Sequence, residues 1–203
     1  MKLRLKLLTL LISLSIYSFA QESVKMTSTY GSENRDIQDI LDFENVFVEK
    51  LDFFGDQLKG KSYVINIAEY KAGKLVGTTP LFDGTETSYF KIKENQESIK
   101  FMFKMSDGKL KTYIRGAKFG SKKSYFSLLD NPDKYALKDF FGRKKELAID
   151  LKQTNTILAI ITPTIHADGS GSYCEVAQSD IVPEKLGEHF KIPHHFLITI
   201  DFK

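Results

Sequence analysis

The chain has 203 residues, with 29 basic and 26 acidic side chains and a formal net charge of +3. Three of the basic residues, Lys2, Arg4 and Lys6, lie at the very start, and without them the net charge is zero. A chain with no net charge has no overall field to attract polyanions, so nucleic acid is not expected as a partner. Cys174 is the only cysteine, so an intramolecular disulfide is excluded.

The first twenty residues have the pattern of a cleavable signal peptide. The basic start is followed by an apolar run from Leu7 to Phe19 and by the small-x-small ending Ser18-Phe19-Ala20. The run is shorter than the roughly 20 apolar residues that span a bilayer, so we expect cleavage after Ala20 and no transmembrane anchor. No cysteine follows the run, so no lipid anchor is expected either. The sequence therefore predicts a soluble protein exported to the periplasm or the extracellular space.

The remaining chain is predicted to form one domain after a short lead-in. Residues 21–36 are polar and aperiodic, which indicates a flexible segment. Residues 37–203 provide enough chain for a single β-rich domain with its own core. Ile37, Ile40 and Leu41 can share one side of a helical turn, and Val46–Phe54 then predicts the first strand.

Alternating side chains predict a hairpin in the middle of the chain. In the first strand, inward-facing Ile99, Phe101, Phe103 and Met105 alternate with Lys100, Met102 and Lys104. After the turn Ser106-Asp107-Gly108, Leu110, Thr112 and Ile114 alternate with Lys109, Lys111, Tyr113 and Arg115. One face of this hairpin should be buried and the other wet and lysine-rich. A second hairpin with similar turn chemistry is predicted from Ser62–Tyr70 and Lys74–Thr79.

Further elements complete a β-rich prediction. The other expected strands are Tyr89–Lys93, Leu147–Leu151, Thr156–Thr162 and Phe196–Phe202. Thr156–Thr162 is apolar on both faces, which indicates a central strand covered on each side. A short helix is expected between Asn131, as N-cap, and Gly142. This order of elements predicts an all-β fold, a sandwich or open barrel of mostly antiparallel hairpins with one or two short helices.

All four histidines and the cysteine fall in the last third of the chain. Together with carboxylates, these are the ligand types of zinc and copper sites. Their spacing contains no closed pair such as CxxC or HxxxH, and adjacent residues of an extended strand, such as His194 and His195, point to opposite faces. The candidate metal ligands are His166, Asp168, Cys174, His189, His194 and His195.

Three interpretations of this group stay open. The first is a metal-binding protein or metal-dependent hydrolase that holds zinc or copper. The second is a thiol enzyme with Cys174 as nucleophile, although the neighbouring carboxylate of Glu175 disfavours the reactive thiolate. In the third, the histidines are ordinary polar residues at strand ends and the cysteine is a small buried apolar residue. Gly-rich phosphate-binding motifs are missing, so nucleotide-dependent catalysis is not expected and no cofactor is predicted.

A non-catalytic module that binds a protein or a glycan is the preferred hypothesis. Solvent-facing tyrosines can stack on sugar rings or anchor a protein contact, and Tyr113 and Tyr173 are the candidate ligand-binding residues. The long connection from His166 to Pro193 is the other candidate surface, because loops of this length in compact domains are usually functional or disordered. No motif identifies a reaction, a substrate or an oligomeric state.

Overall fold

The computed structural model describes residues 23–166, 169–173, 176, 179 and 181–203. The expected signal peptide with its cleavage site at Ala20 lies outside these residues, as do the candidate ligands Asp168 and Cys174. Among the helices that the structure describes, none has the length and apolar character needed to cross a membrane.

Strands dominate the described part of the chain, as the predicted all-β fold requires. The strands are β1 (Ser23–Tyr30), β2 (Val46–Phe54), β3 (Tyr63–Lys71), β4 (Lys74–Asp83), β5 (Gln96–Ser106), β6 (Lys109–Gly116), β7 (Ser124–Ser127), β8 (Ala136–Asp139), β9 (Leu147–Asp150), β10 (Asn155–Ile161), β11 (Thr164–Ile165), β12 (Gly171–Ser172) and β13 (His194–Phe202). The short helices are α1 (Arg35–Phe43) and α2 (Leu186–His189). Single 3-10 turns occur at Asp56–Leu58, Ser88–Phe90, Pro132–Lys134 and Pro183–Lys185.

Two antiparallel sheets form the sandwich. The six-stranded sheet has the order β7-β6-β5-β2-β1-β9, and the five-stranded sheet has the order β4-β3-β13-β10-β8. Their facing sides bury one apolar core, to which β2 contributes Leu51 and Phe53 and β13 contributes Phe196 and Ile198. The fold class predicted from the sequence is confirmed.

A second apolar cluster covers the outer face of the five-stranded sheet. Ala159 and Ile161 of β10 contact this cluster, while Leu158 and Ile160 of the same strand belong to the main core. Leu186 of α2 and the nearby Ile192 lie over the sheet from the C-terminal connection. The prediction that this strand is central and covered on both faces is therefore confirmed.

The expected flexible lead-in over residues 21–36 is wrong for most of its length. Ser23–Tyr30 forms β1, which pairs with both β2 and β9, and α1 begins at Arg35. Val24 and Met26 are fully buried in the core. Strand β1 is held by a partner strand on each side, so it needs only two inward-facing apolar side chains. Two apolar residues are too few to show a clear periodicity in the sequence.

Two further expectations fail for a related reason. The helix expected between Asn131 and Gly142 is a single turn, Pro132–Lys134, followed by β8. The Asn131 side chain does cap this turn by accepting the Asp133 N–H, but β8 then pairs with β10 along its whole length. The expected strand Tyr89–Lys93 is replaced by the 3-10 turn Ser88–Phe90. In both places tertiary contacts override local propensity.

Candidate functional site

The adjacent histidines of β13 face opposite sides of the five-stranded sheet, as their spacing predicts. His194 lies on the inner side, with its ring 4.7 Å from that of Phe196. His195 lies on the outer side and stacks on Tyr70 at 4.8 Å with an interplanar angle of 12°. Only one of the two histidines can therefore contribute to a site on either face.

His194 is the centre of a buried chain of hydrogen bonds. The backbone N–H of Leu129 donates to the Tyr135 hydroxyl oxygen at 3.1 Å. That hydroxyl donates to Nδ1 of His194 at 2.6 Å, because the proton of the neutral ring is on Nε2, which faces a carboxylate that only accepts. Nε2 of the same ring then donates to the Glu69 carboxylate at 3.2 Å. Burial lowers the pKa of His194, and the bond to Glu69 partly opposes this. Both ring nitrogens are engaged, which is the arrangement of a structural, neutral histidine.

His195 has no hydrogen-bond partner on either ring nitrogen among the described residues, and it is completely buried. Burial lowers its pKa to about 4, with a smaller contribution from the neighbouring His194. The imidazole therefore acts here as a flat, neutral packing group between Tyr70 and α2.

Replacing Gly187 of α2 by alanine is expected to lower the free energy of unfolding by about 1–2 kcal/mol. An added Cβ would lie 2.6 Å from Cε1 of His195 and 3.0 Å from the Cα of Gly73, so the ring or the backbone would have to shift. Urea unfolding near neutral pH measures the loss. Gly77→Ala is the matched control, since nothing lies within 4 Å of a Cβ there. Equal losses in the two variants would show that the contact with His195 is not tight.

The other two histidines lie in different surroundings. His166 follows β11, and its backbone closes a turn with Gly169 and Ser170. His189 ends α2 and lines a cavity of about 530 Å³, together with Lys185 and Glu188. Within the described ranges, no three His, Cys, Asp or Glu side chains converge as metal ligands. The metal site predicted with Asp168 and Cys174 stays a prediction, because those two residues lie outside the described part of the chain.

Tyr173 already contacts its own chain through both its polar and its apolar parts. Its hydroxyl donates to the Lys134 carbonyl oxygen at 2.7 Å, and Nζ of Lys138 lies 5.5 Å from the ring centre. The ring also packs against the second apolar cluster. These contacts tether the C-terminal connection to the edge of the five-stranded sheet.

Tyr113 lies on a basic surface formed by the six-stranded sheet. Inward-facing residues of β5 and β6 are buried, while the alternate residues are exposed or half-buried, which confirms the wet, lysine-rich hairpin face. We call this surface the basic face; it consists of Lys100, Met102, Lys104, Lys109, Lys111, Tyr113, Arg115, Lys123 and Tyr125.

Like charges lie directly opposite one another on the basic face. Lys100 is paired with Arg115 across the strands, and Lys104 with Lys111. Like charges directly opposite one another destabilise a sheet. Lys104 is neutralised by Glu44 at 2.5 Å, but the other three cations form no ion pair within the described residues. The isolated protein thus retains an unfavourable charge arrangement that an anionic partner would relieve.

A groove of about 210 Å³ opens on the basic face. Its lining combines apolar and basic side chains: Val46, Met102, Phe103, Lys104, Lys111, Tyr113 and Lys123. Tyr113 packs against the backbone of Gly120, where a Cβ would lie 2.4 Å from the tyrosine hydroxyl oxygen. The Tyr113 ring can occupy this position only because residue 120 has no side chain.

A second polar region lies between the sheets, around Glu49 of β2. Glu49 continues the inward-facing row of Leu51 and Phe53, is only 3 % exposed and accepts a hydrogen bond from Ser28. A cavity of about 380 Å³ joins it to Asp139 of the opposite sheet. Burial, and secondarily the charge of Asp139, raise the pKa of Glu49 to about 7. Sequence reasoning missed this residue, because nothing local distinguishes it from the other acidic side chains.

Comparison with known proteins assigns no family to the chain. A scan against protein-family models, a search of curated proteins and a search of solved structures each gave no match.

Proposed function

We propose that the protein is an exported, non-catalytic binding module that holds an acidic polysaccharide on its basic face. The observation that carries this proposal is the set of unneutralised cations beside the groove, Lys100, Lys111 and Arg115. Carboxylate or sulfate groups spaced along a polysaccharide would lie between these cations and neutralise them. The binding energy would then include the relief of the repulsion between the cations.

The rest of the groove favours a sugar over a nucleic acid. Tyr113 and Met102 are direct cross-strand neighbours and give the groove an apolar surface on which a sugar ring can stack. Export, expected from the first twenty residues, places the protein where acidic polysaccharides occur and nucleic acid is scarce. The zero net charge expected after signal-peptide removal also argues against a general polyanion binder.

Lys111→Glu is expected to weaken the binding of polygalacturonate about tenfold, equivalent to about 1.4 kcal/mol, and Tyr113→Ala to weaken it by a similar factor. Isothermal titration calorimetry at low and moderate salt measures both effects. Because ion pairing contributes to binding, the wild-type affinity should fall as salt rises, and it should fall less steeply in Lys111→Glu.

Lys74→Glu on β4 is the charge-matched control, because this exposed lysine belongs to the five-stranded sheet. It should leave the affinity unchanged. Equal weakening by Lys74→Glu and Lys111→Glu would reduce the effect to net charge and overturn the proposal. Tighter binding of single-stranded DNA than of polygalacturonate would also overturn it.

A further inference from the structure

Helix α1 carries an apolar stripe that faces away from the protein. Ile37, Ile40 and Phe43 form this stripe and are 50 %, 63 % and 88 % exposed. No residue of the helix is buried. Surface helices normally turn their apolar side towards the core, so this reversed orientation marks an interaction surface.

The polar side of α1 fixes this orientation. The Asn34 side chain caps the helix by accepting the Ile37 N–H at 3.1 Å. Oε1 of Gln38 accepts the Ser32 N–H at 2.8 Å, which ties the opposite side of the helix to the chain leading into it. Turning the stripe inwards would break the bond between Gln38 and Ser32, so the exposed stripe is a feature of the fold.

The charges beside the stripe identify what it fits. Asp36 and Asp39 are exposed and flank the apolar side chains, and neither forms an ion pair within the described ranges. A matching surface must therefore be apolar with cations beside it. The groove on the basic face has this composition, since Val46, Met102 and Tyr113 line it together with lysines.

The C-terminal end of the stripe lies beside the groove. Glu44, the residue after α1, pairs with Lys104 of the groove at 2.5 Å, and Phe43 immediately precedes it. When two complementary features lie side by side, a two-fold axis between two copies places each feature on its counterpart, and both contacts form at once.

We infer that the protein self-associates as a two-fold dimer in which the apolar stripe of each copy lies in the groove of the other. The acidic residues Asp36 and Asp39 then face the groove lysines, including Lys111 and Lys123. This contact does not depend on the polysaccharide proposal, because it needs no ligand. It does use the same surface, so dimer formation and polysaccharide binding exclude each other.

Sedimentation equilibrium over a range of protein concentrations tests the dimer. The wild type should show a monomer–dimer equilibrium, and Ile40→Asp should weaken it at least tenfold. Ile165→Asp is the matched control, because this isoleucine is 62 % exposed but lies on β11. Ile40 is exposed, so its replacement should leave the urea unfolding midpoint of the monomer unchanged. A wild type that stays monomeric at all concentrations overturns the inference.

Charge reversal tests which surfaces meet. One variant carries Asp36→Lys with Asp39→Lys, and the other carries Lys111→Glu with Lys123→Glu. Each alone should be monomeric, because like charges then face each other in both contacts. An equimolar mixture should form a heterodimer, since both contacts become attractive again. Failure of the mixture to associate, with both variants folded, overturns the proposed pairing.

Polygalacturonate binding and dimer formation can be tested separately. Polygalacturonate should dissociate the wild-type dimer, while Ile40→Asp, which leaves the basic face intact, should bind it at least as well as the wild type. A dimer that forms but ignores polygalacturonate removes only the polysaccharide proposal. A monomer that binds polygalacturonate removes only the dimer.

Discussion

Tyr135→Phe is expected to lower the free energy of unfolding by about 3 kcal/mol. The Tyr135 side chain is almost fully buried, and its hydroxyl is bonded both to the N–H of Leu129 and to Nδ1 of His194. Phenylalanine keeps the ring but leaves these two groups without their partner. Nδ1 of His194 is buried and costs about 1–3 kcal/mol when it is left unpaired, and the part-buried N–H of Leu129 adds a smaller loss, so the total exceeds that of an average point substitution.

Urea unfolding at pH 7.5, followed by circular dichroism, measures this loss. Tyr125→Phe is the control, because that tyrosine is 60 % exposed on the basic face and should change stability by less than about 0.5 kcal/mol. A Tyr135→Phe loss as small as that of the control would mean that the hydrogen-bond chain around His194 does not stabilise the fold.

Glu49→Gln is expected to raise the free energy of unfolding by about 2 kcal/mol at pH 8. The Glu49 carboxyl has a pKa of about 7 in the folded protein, well above its ordinary value of 4.5. Ionising this buried group therefore costs free energy that the unfolded chain does not pay. Glutamine has nearly the same shape, does not ionise, and can still accept the hydrogen bond from Ser28.

The pH dependence of this gain follows from proton linkage. Between pH 4.5 and 7 the folded protein binds more protons at Glu49 than the unfolded chain, so this group lowers stability as the pH rises through that window. The advantage of Glu49→Gln should thus be absent below pH 4.5 and complete above pH 7. Urea unfolding at pH 4, 5.5 and 8 measures the difference in stability between Glu49→Gln and the wild type. Glu94→Gln is the control, because Glu94 is exposed. A constant difference at all three pH values would contradict the mechanism.

His195 makes the free energy of unfolding rise with pH over nearly the same pH range in which Glu49 makes it fall. Its folded pKa of about 4 lies below the ordinary 6.5, so the unfolded chain binds more protons between these values. Stability from this group is complete above pH 6.5 and is lost as the pH falls towards 4. In the wild type the contributions of Glu49 and His195 oppose each other; in Glu49→Gln the rise due to His195 should become visible.

Local sequence patterns were sufficient to predict several of the strands. Strand β2 was predicted with its observed bounds, Val46–Phe54, and the hairpin of β5 and β6 with its wet face. Strand β8 could not be recognised, because its four residues are extended only through pairing with β10. Information of that kind depends on residues distant in the sequence.

The candidate sites likewise include features that local sequence predicts and features that depend on distant residues. Tyr113 and the lysines of its hairpin follow from periodicity, so the composition of the basic face was predictable. The groove was not, because Val46 and Lys123 reach it from other parts of the chain. Glu49 was hidden for the same reason: the aspartate that helps to raise its pKa belongs to the opposite sheet.

The position of the first and last strands has a consequence for the timing of folding. Strand β13 lies in the middle of its sheet, where Phe202 pairs with Tyr63, and β1 needs β9, whose Asp150 pairs with Ser23. Neither sheet can be completed until distant segments meet, and such long-range pairing slows folding. The five-stranded sheet can therefore close only when the C-terminal strand is available, so β3 and β10 lack their shared neighbour until β13 is in place.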